Sequence, residues 1–370
     1  ELADAMLAAQ YDNSIQQIWV AKGTYYPRYS RYFQNLDCGM VNRNNSFVLT
    51  DNLRLYGGFA GGETDTSGRN FTLNQTILSG NINSLAVNAD NCYSVLISNN
   101  NSGTVELNGF TVSDGNGPGA AGLECTTSNM LIGNCTFINN ISSNTGAAIR
   151  FNASVASLEY CTFQSNAALL DGGAILNESS TLTIEKCFFT ANSAKNGGAI
   201  SSASNASLAV RNSTFQSNTA IIYGGAIYNS PTTSLLLTQS QLISNTASNG
   251  GALHVENGAA IPAIRNCSFR GNSATSHGGA ACLHLNCVLR NNLFSGNYSA
   301  DAGGALHLVG GPSYLISNCT LAANKAVTSG SAIYVDAGTV ILSNSIFDLN
   351  DGPFEIAAAS ITASYTMTQT

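Results

Sequence analysis

Charge is what this sequence has least of. Of its 370 residues, Lys and Arg supply 14 and Asp and Glu 21, so charged residues make up 9% and the formal net charge is −7. Soluble globular chains carry roughly 25%. The shortfall argues against nucleic-acid binding and against a helical fold laced with ion pairs. Proline occurs six times and tryptophan once, and no Pro-rich segment reads as a linker. No apolar run reaches the ~18 residues that would mark a membrane-crossing helix. What is abundant is Gly, 36 copies of it, amid much Asn, Ser and Thr, with 44% hydrophobic residues. That mixture predicts many short strands joined by tight polar turns around a real core.

An internal repeat organises most of the chain. Phe-x-x-Asn recurs at Phe137/Asn140, Phe163/Asn166, Phe189/Asn192, Phe215/Asn218, Leu242/Asn245, Phe269/Asn272, Phe294/Asn297, Leu321/Asn324 and Phe347/Asn350, at intervals of 25 to 27 residues. Gly-Gly-Ala-Ile keeps step with it at Gly172, Gly197, Gly224, Gly250, Gly278 and Gly303, with degenerate copies at Gly146 and Gly330. Within a repeat the apolar residues alternate, which is the period of a strand. Five residues before each Phe or Leu runs a column from Ile132 through Leu158 and Val210 to Leu342. Two residues before it stand Cys135, Cys161, Cys187, Cys267 and Cys319, interspersed with Ser and Asn. The Gly-Gly-Ala strand carries Ile149, Ile175, Ile200, Ile227, Leu253, Leu306 and Ile333 inward. Three strands per ~26 residues, each stacked on its counterpart about 4.8 Å away, predict an all-β, three-strand parallel β-helix. Helical repeats would need apolar residues every three or four positions and far less Gly.

Residues 1–110 read as a cap and irregular first turns, and residues 111–370 as regular coils of one continuous domain. Leu2, Met6, Leu7 and Ala9 predict a short capping helix, and Gln17 to Ala21, with Trp19, a strand. Strands are also expected around Phe47–Leu49, Leu53–Tyr56, Val95–Ile97 and Val105–Leu107, with an irregular loop over 27–46. The start at Glu1 without Met suggests a processed or trimmed chain, and the last turn, ending at Thr370 without an evident cap, suggests that the full protein is longer.

The two tetrapeptides resemble those of the chlamydial polymorphic membrane proteins, whose β-helical passenger regions act as surface adhesins. The opening Ile18-Trp19-Val20-Ala21-Lys22-Gly23-Thr24-Tyr25-Tyr26-Pro27, with Leu55-Tyr56-Gly57-Gly58-Phe59 and Thr76-Ile77-Leu78-Ser79-Gly80, is similar to large secreted β-helix proteins of Bacteroidota-type bacteria. These resemblances imply a right-handed β-helix, a secreted or cell-surface location, and adhesion.

Ten cysteines would allow five disulfides in a secreted protein. Five of them belong to the inward column, however, and Cys125 and Cys287 also fall on inward positions, where Cys acts as a small hydrophobe. Cys38 and Cys92 are the candidates for a disulfide. Asn-x-Ser/Thr at Asn134, Asn212 and Asn318 falls within the repeat and reads as a by-product of composition.

The outward positions can be aligned coil by coil. Along the Gly-Gly-Ala strand they read Glu124, Arg150, Leu176, Ser201, Tyr228, His254, Cys282, His307 and Tyr334; two residues on they include Asn152, Glu178, Glu256, His284 and Asp336. Tyr228, His254, Glu256, Cys282, His284, His307, Tyr334 and Asp336 therefore form one candidate ligand-binding patch. A polar solvent face without a ligand, a glycan-contacting patch and a metal site are the three readings; no metal and no cofactor is assigned. His277 sits beside a turn and is given no role. Catalysis is not expected. Acid pairs are scarce on these strands, Glu256 and Asp336 being about 14 Å apart by coil count, and Arg150 with Glu178 reads as a surface ion pair. The expected function is a non-catalytic extracellular adhesive module, stalk or filament subunit, with a cell-surface glycan, a protein or its own copies as partner. The alternative is a polysaccharide-binding or polysaccharide-degrading β-helix.

Overall fold

The computed structural model describes residues 1–32, 42–83, 87–352, 356–357, 360–364 and 366–368. Cys38 lies outside them. The chain divides into two units, Glu1–Thr183 and Ile184–Thr370, and each is a parallel β-solenoid. The boundary expected near residue 110 between irregular and regular coils lies inside the first.

In the first unit the helix Leu2–Tyr11 buries Leu2, Ala3, Met6 and Ala9, with Leu7 half-buried. It lies against the strand Phe47–Leu49 and covers what would be an open strand edge. Gln17–Ala21 follows as a strand, and Trp19 stacks on Phe59 with ring centroids 5.1 Å apart. A regular coil of this unit runs Leu123–Thr126, Asn129–Gly133, Thr136–Ile138 and Ile141–Ser142. Its counterpart in the second unit runs Ile227–Asn229, Ser234–Thr238, Gln241–Ile243 and Thr246–Asn249. The coil thus has a fourth strand besides the three expected. At two to five residues it is too short to display alternation, and so it reads in sequence as part of a turn.

Register is as the repeat dictates. In the first unit Leu123, Ile149 and Ile175 pair in succession, as do Phe137 and Phe163. In the second, Ile200, Ile227, Leu253, Ala281, Leu306 and Ile333 follow one another on the Gly-Gly-Ala sheet. The inward Ile, Leu and Phe columns are fully buried. Phe189 and Phe215 stack at 4.6 Å, with their planes 3° apart. Burying such a side chain stabilises by about 1.5–3 kcal/mol as an upper figure.

The corners explain the polar residues. The residue just before each repeat Asn takes a left-handed conformation: Asn139 and Ser165 in the first unit, and Ala191, Ser217, Ser244 and Ala323 in the second. The strand-end positions Asn134, Asn212 and Asn318 have φ of 52°, 48° and 53°, a conformation that Asn tolerates better than most residues. Corner geometry thus accounts for these three Asn-x-Ser/Thr matches. The repeat Asn residues are buried apart from the half-buried Asn350, and they bond to one another from coil to coil. Asn140 Nδ2 donates to Asn166 Oδ1 at 3.1 Å in the first unit; in the second, Asn245 Nδ2 donates to Asn272 Oδ1 at 3.0 Å and also to the Phe215 carbonyl at 3.0 Å.

Nine cysteines, Cys92, Cys125, Cys135, Cys161, Cys187, Cys267, Cys282, Cys287 and Cys319, are buried free thiols. Those of the inward column donate to main-chain carbonyls, as Cys319 does to Ser317 at 3.4 Å.

Candidate functional site

The candidate patch lies on the outer face of the Gly-Gly-Ala sheet in the second unit. Pairing places Tyr228, His254, Cys282, His307 and Tyr334 at equivalent positions on five successive strands, and the outward register is the one expected. Its exposure is not. His254 and Cys282 are each 1% exposed and His307 is 6% exposed, so the reading of this column as a solvent face is corrected. Tyr228, Glu256, His284 and Tyr334 are half-buried, and Asp336 is exposed.

The cover comes from the residues that precede the Gly-Gly pair. Tyr223 and His277 occupy equivalent positions on the short fourth strand, with Asn249 between them. Each is followed by a left-handed glycine, Gly224 at φ 59° and Gly278 at φ 66°. That corner is tight: a Cβ on Gly224 would sit 2.1 Å from the Ile227 carbonyl oxygen. Folding back so sharply lays the Tyr223 ring 4.4 Å from His254 and the His277 ring 4.7 Å from His307, measured between centroids. Tyr228 on Tyr223 at 5.7 Å and His284 on His254 at 5.0 Å extend the first group of rings, and Tyr334 on His307 at 5.3 Å extends the second. All four histidines therefore share one face. His277 is a residue that the outward columns miss; its place directly before Gly-Gly, shared with Tyr223, is the signal that marks it.

A carboxylate lies beside each of the two buried rings. Glu256 Oε1 lies 3.2 Å from His254 Nε2, and Asp336 Oδ2 lies 3.2 Å from His307 Nε2. Burial pushes the pKa of both imidazoles below the ordinary histidine value, and the neighbouring carboxylates offset this only in part. The same histidine holds Glu256 below the usual carboxylate range, through their hydrogen bond first. Cys282 Sγ is 3.6 Å from His307 Nδ1, and burial raises its thiol pKa strongly. His254, Cys282 and His284 offer three ligand atoms all within 4.8 Å of one another.

The first unit carries a different surface. Arg150 pairs with Glu178 at 2.7 Å, as expected, and Arg31 pairs with Glu124 at 3.0 Å. On the sheet that contains Thr104–Asn108, a hollow of about 190 Å³ is lined by Glu106, Asn108, Leu131, Gly133, Ser157 and Glu159. Tyr56 donates to Glu106 Oε2 at 2.8 Å, and Arg69 lies over the rings of Tyr56, Phe59 and Phe71.

No curated protein has a matching sequence. Three solved structures are similar in fold. Tailspike protein 3 of bacteriophage CBA120 is 12% identical with a TM-score of 0.53, over 99% of this chain and 59% of its own; this chain thus spans about three-fifths of that tailspike. The surface adhesin PfbA of Streptococcus pneumoniae is 13% identical with a TM-score of 0.44, over 98% of this chain and 89% of its own. The catalytic domain of a GH87 α-1,3-glucanase in complex with nigerose is 9% identical with a TM-score of 0.38, over 99% of this chain and 67% of its own. At such identities the likeness is one of fold alone.

The expectation that the chain is not an enzyme is corrected on this point. The likeness to a tailspike at 12% identity is one of fold alone, and a fold that hosts both binders and enzymes does not settle whether this chain is catalytic. Acid pairs are scarce on the Gly-Gly-Ala columns, but Glu106 and Glu159 line one hollow on another sheet. No helix among the described residues is long and apolar enough to cross a membrane. The right-handed β-helix region family matches residues 63–239 and 222–368, in keeping with the coils, the register and the buried columns. The chain belongs to the right-handed β-helix family.

Proposed function

We propose that this chain is a β-helical module of a secreted or cell-surface protein, and that the ring-lined face of its second unit binds a glycan. The observation that carries this reading is the presence on one sheet face of two groups of rings in contact, Tyr223, Tyr228, His254 and His284 in one and His277, His307 and Tyr334 in the other. Aromatic rings present rigid, amphipathic area at low entropic cost, and a sugar offers an apolar C–H face to stack and hydroxyls to bond. Tyr228 and Tyr334, one from each group, are half-buried and about 19 Å apart by coil count, a span suited to several sugar units. Glu256 and Asp336 supply acceptors beside these groups. The resemblance of the repeats to those of chlamydial adhesins supports a surface location.

Glycan-array screening of the purified chain, followed by calorimetry on any hit, tests the reading. Tyr228→Ala with Tyr334→Ala is expected to weaken binding at least ~10-fold, the loss of two stacking contacts. Binding unchanged by the pair of substitutions removes this face from the proposal. Self-association is a competing use of the same surface, and light scattering that rises with protein concentration would reveal it.

A second reading, polysaccharide cleavage, is favoured by the hollow that holds Glu106 and Glu159, because glycoside hydrolysis uses a pair of carboxylates. Release of reducing ends from neutral or acidic polysaccharides, abolished by Glu106→Gln or Glu159→Gln, is its test.

A further inference from the structure

We propose that His254, Cys282 and His284 form a binding site for a zinc ion. Their ligand atoms lie within 4.8 Å of one another, close enough for side-chain rotation to bring them onto one metal. The fold aims them together without distortion. His254 and Cys282 are paired residues on the neighbouring strands Leu253–Val255 and Ala281–Leu283, so both side chains leave the same face one coil apart. His284 is the next residue but one on that face, and its main-chain N–H is fixed by the Val255 carbonyl at 2.9 Å.

A second, independent observation comes from His254. Its ring is 1% exposed, and its Nδ1 has no hydrogen-bond partner. A buried polar atom left unpaired is costly and rare; a metal ion supplies the missing partner. The other ring nitrogen, Nε2, faces Glu256 at 3.2 Å, the carboxylate–histidine pairing that orients metal-bound imidazoles. Cys282 has a neighbour of its own: its Sγ meets His307 Nδ1 at 3.6 Å, while His307 Nε2 lies 3.2 Å from Asp336 Oδ2 without a hydrogen bond. In the tautomer that carries its proton on Nδ1, His307 stabilises the thiolate that metal binding creates. Two imidazoles and one thiolate are borderline-soft donors suited to Zn²⁺ and poorly suited to Ca²⁺ or Mg²⁺. On binding, the thiol proton passes to solvent and the metal–sulfur bond forms; no oxidant or reductant is required. The site stands whether or not the face binds a sugar.

The test uses the full chain stripped with a chelator and dialysed, with no glycan present. Zinc titrated against a chromogenic competitor is expected to bind at one equivalent per chain, and to remain after gel filtration. His284→Ala, at a half-buried position that should tolerate truncation, and Cys282→Ser are each expected to lower the affinity at least ~100-fold, as loss of a direct ligand does more than the 10–100-fold typical of outer partners. Cys287→Ser, a buried thiol outside the cluster, should leave the affinity unchanged. Should Cys282→Ser fail to fold, cobalt binding to the unaltered chain decides: a thiolate-to-cobalt absorption band with tetrahedral ligand-field bands supports the site. Retention of no zinc, cobalt spectra without the thiolate band, or full affinity in a folded His284→Ala variant would overturn it.

Discussion

Asn218 directs both its main-chain N–H and its side-chain amide at a single oxygen, Asn245 Oδ1, with both distances 3.0 Å. Asn245 repeats this on Asn272, and Asn272 on Asn297. The carboxamide offers an acceptor oxygen and a donor nitrogen without carrying charge, and that dual capacity suits it to the repeat's corner.

Replacing a rung of this ladder should therefore cost more than a single hydrogen bond. Asn245→Leu leaves the main-chain and side-chain donors of Asn218 without their acceptor and removes a donor from the Phe215 carbonyl in a fully buried corner, while Asn272 Oδ1 keeps the main-chain N–H of residue 245. With about 1–3 kcal/mol for each buried group left unsatisfied, a loss of about 3 kcal/mol or more is expected. The urea midpoint of the purified variant measures it; a loss under 1 kcal/mol would mean that the ladder is dispensable.

The second glycine of the repeat is constrained by backbone rather than by side chains. A Cβ on Gly225 would meet the Gly251 carbonyl oxygen at 2.2 Å and the Thr246 oxygen at 2.5 Å. Gly225→Ala must push two coils apart, and a destabilisation at or above the usual ~1–3 kcal/mol of overpacking is expected. Gly62→Ala, with nothing within 4 Å of its Cβ, should change stability by less than ~0.5 kcal/mol. Thermal unfolding of the two variants side by side separates them.

Stability should fall with acid through the histidine range. His254 has a pKa lowered from 6.5 in the fold, by burial first, despite Glu256 beside it and with His284 acting in the same direction as burial. The rings of Tyr223, Tyr228 and His284 are packed around it. Between the folded value and 6.5 the unfolded chain binds more protons than the folded one, so this contribution is fully present above pH 6.5 and is lost as the pH falls toward the folded value. His307 acts in the same sense. His254→Gln should flatten the decline in unfolding midpoint between pH 7 and pH 5; an equal slope in both proteins would assign the effect to other groups.

The buried thiols should resist alkylation until the chain unfolds. Burial raises Cys125, Cys267 and Cys319 to about 11 and Cys92 to about 12, so almost no thiolate is present at neutral pH. Labelling of these positions with a maleimide is expected to be at least ~100-fold slower in buffer than in denaturant, read by mass spectrometry of peptides. Rapid native labelling of Cys267 or Cys319 would contradict their inward placement.

Much of the fold was legible because a parallel β-helix stacks like residue on like. Phe137 over Phe163, the columns of Ile and Leu, and the Asn ladder are one-dimensional facts, and a period of about 26 residues exposes them. The fourth strand escaped notice because two residues such as Ile141–Ser142 have no alternation to show. Tyr228, His254, Cys282, His307 and Tyr334 were placed in correct register for the same reason that the core was. Their burial was not legible, since it depends on Tyr223 and His277 folding back at the Gly-Gly corner, and a column read one strand at a time contains no information about the neighbouring strand's corner.

The amino-acid order alone settled the winding: which residues face inward, which face outward, and which lie one coil apart, because alternation and repeat length are properties of the chain itself. Only the tertiary structure decided that His254, Cys282 and His307 are buried, and that three ligand atoms converge around His254. Convergence is set by corner dihedrals and side-chain rotamers, and these are fixed when coils pack against one another rather than by any spacing along the sequence.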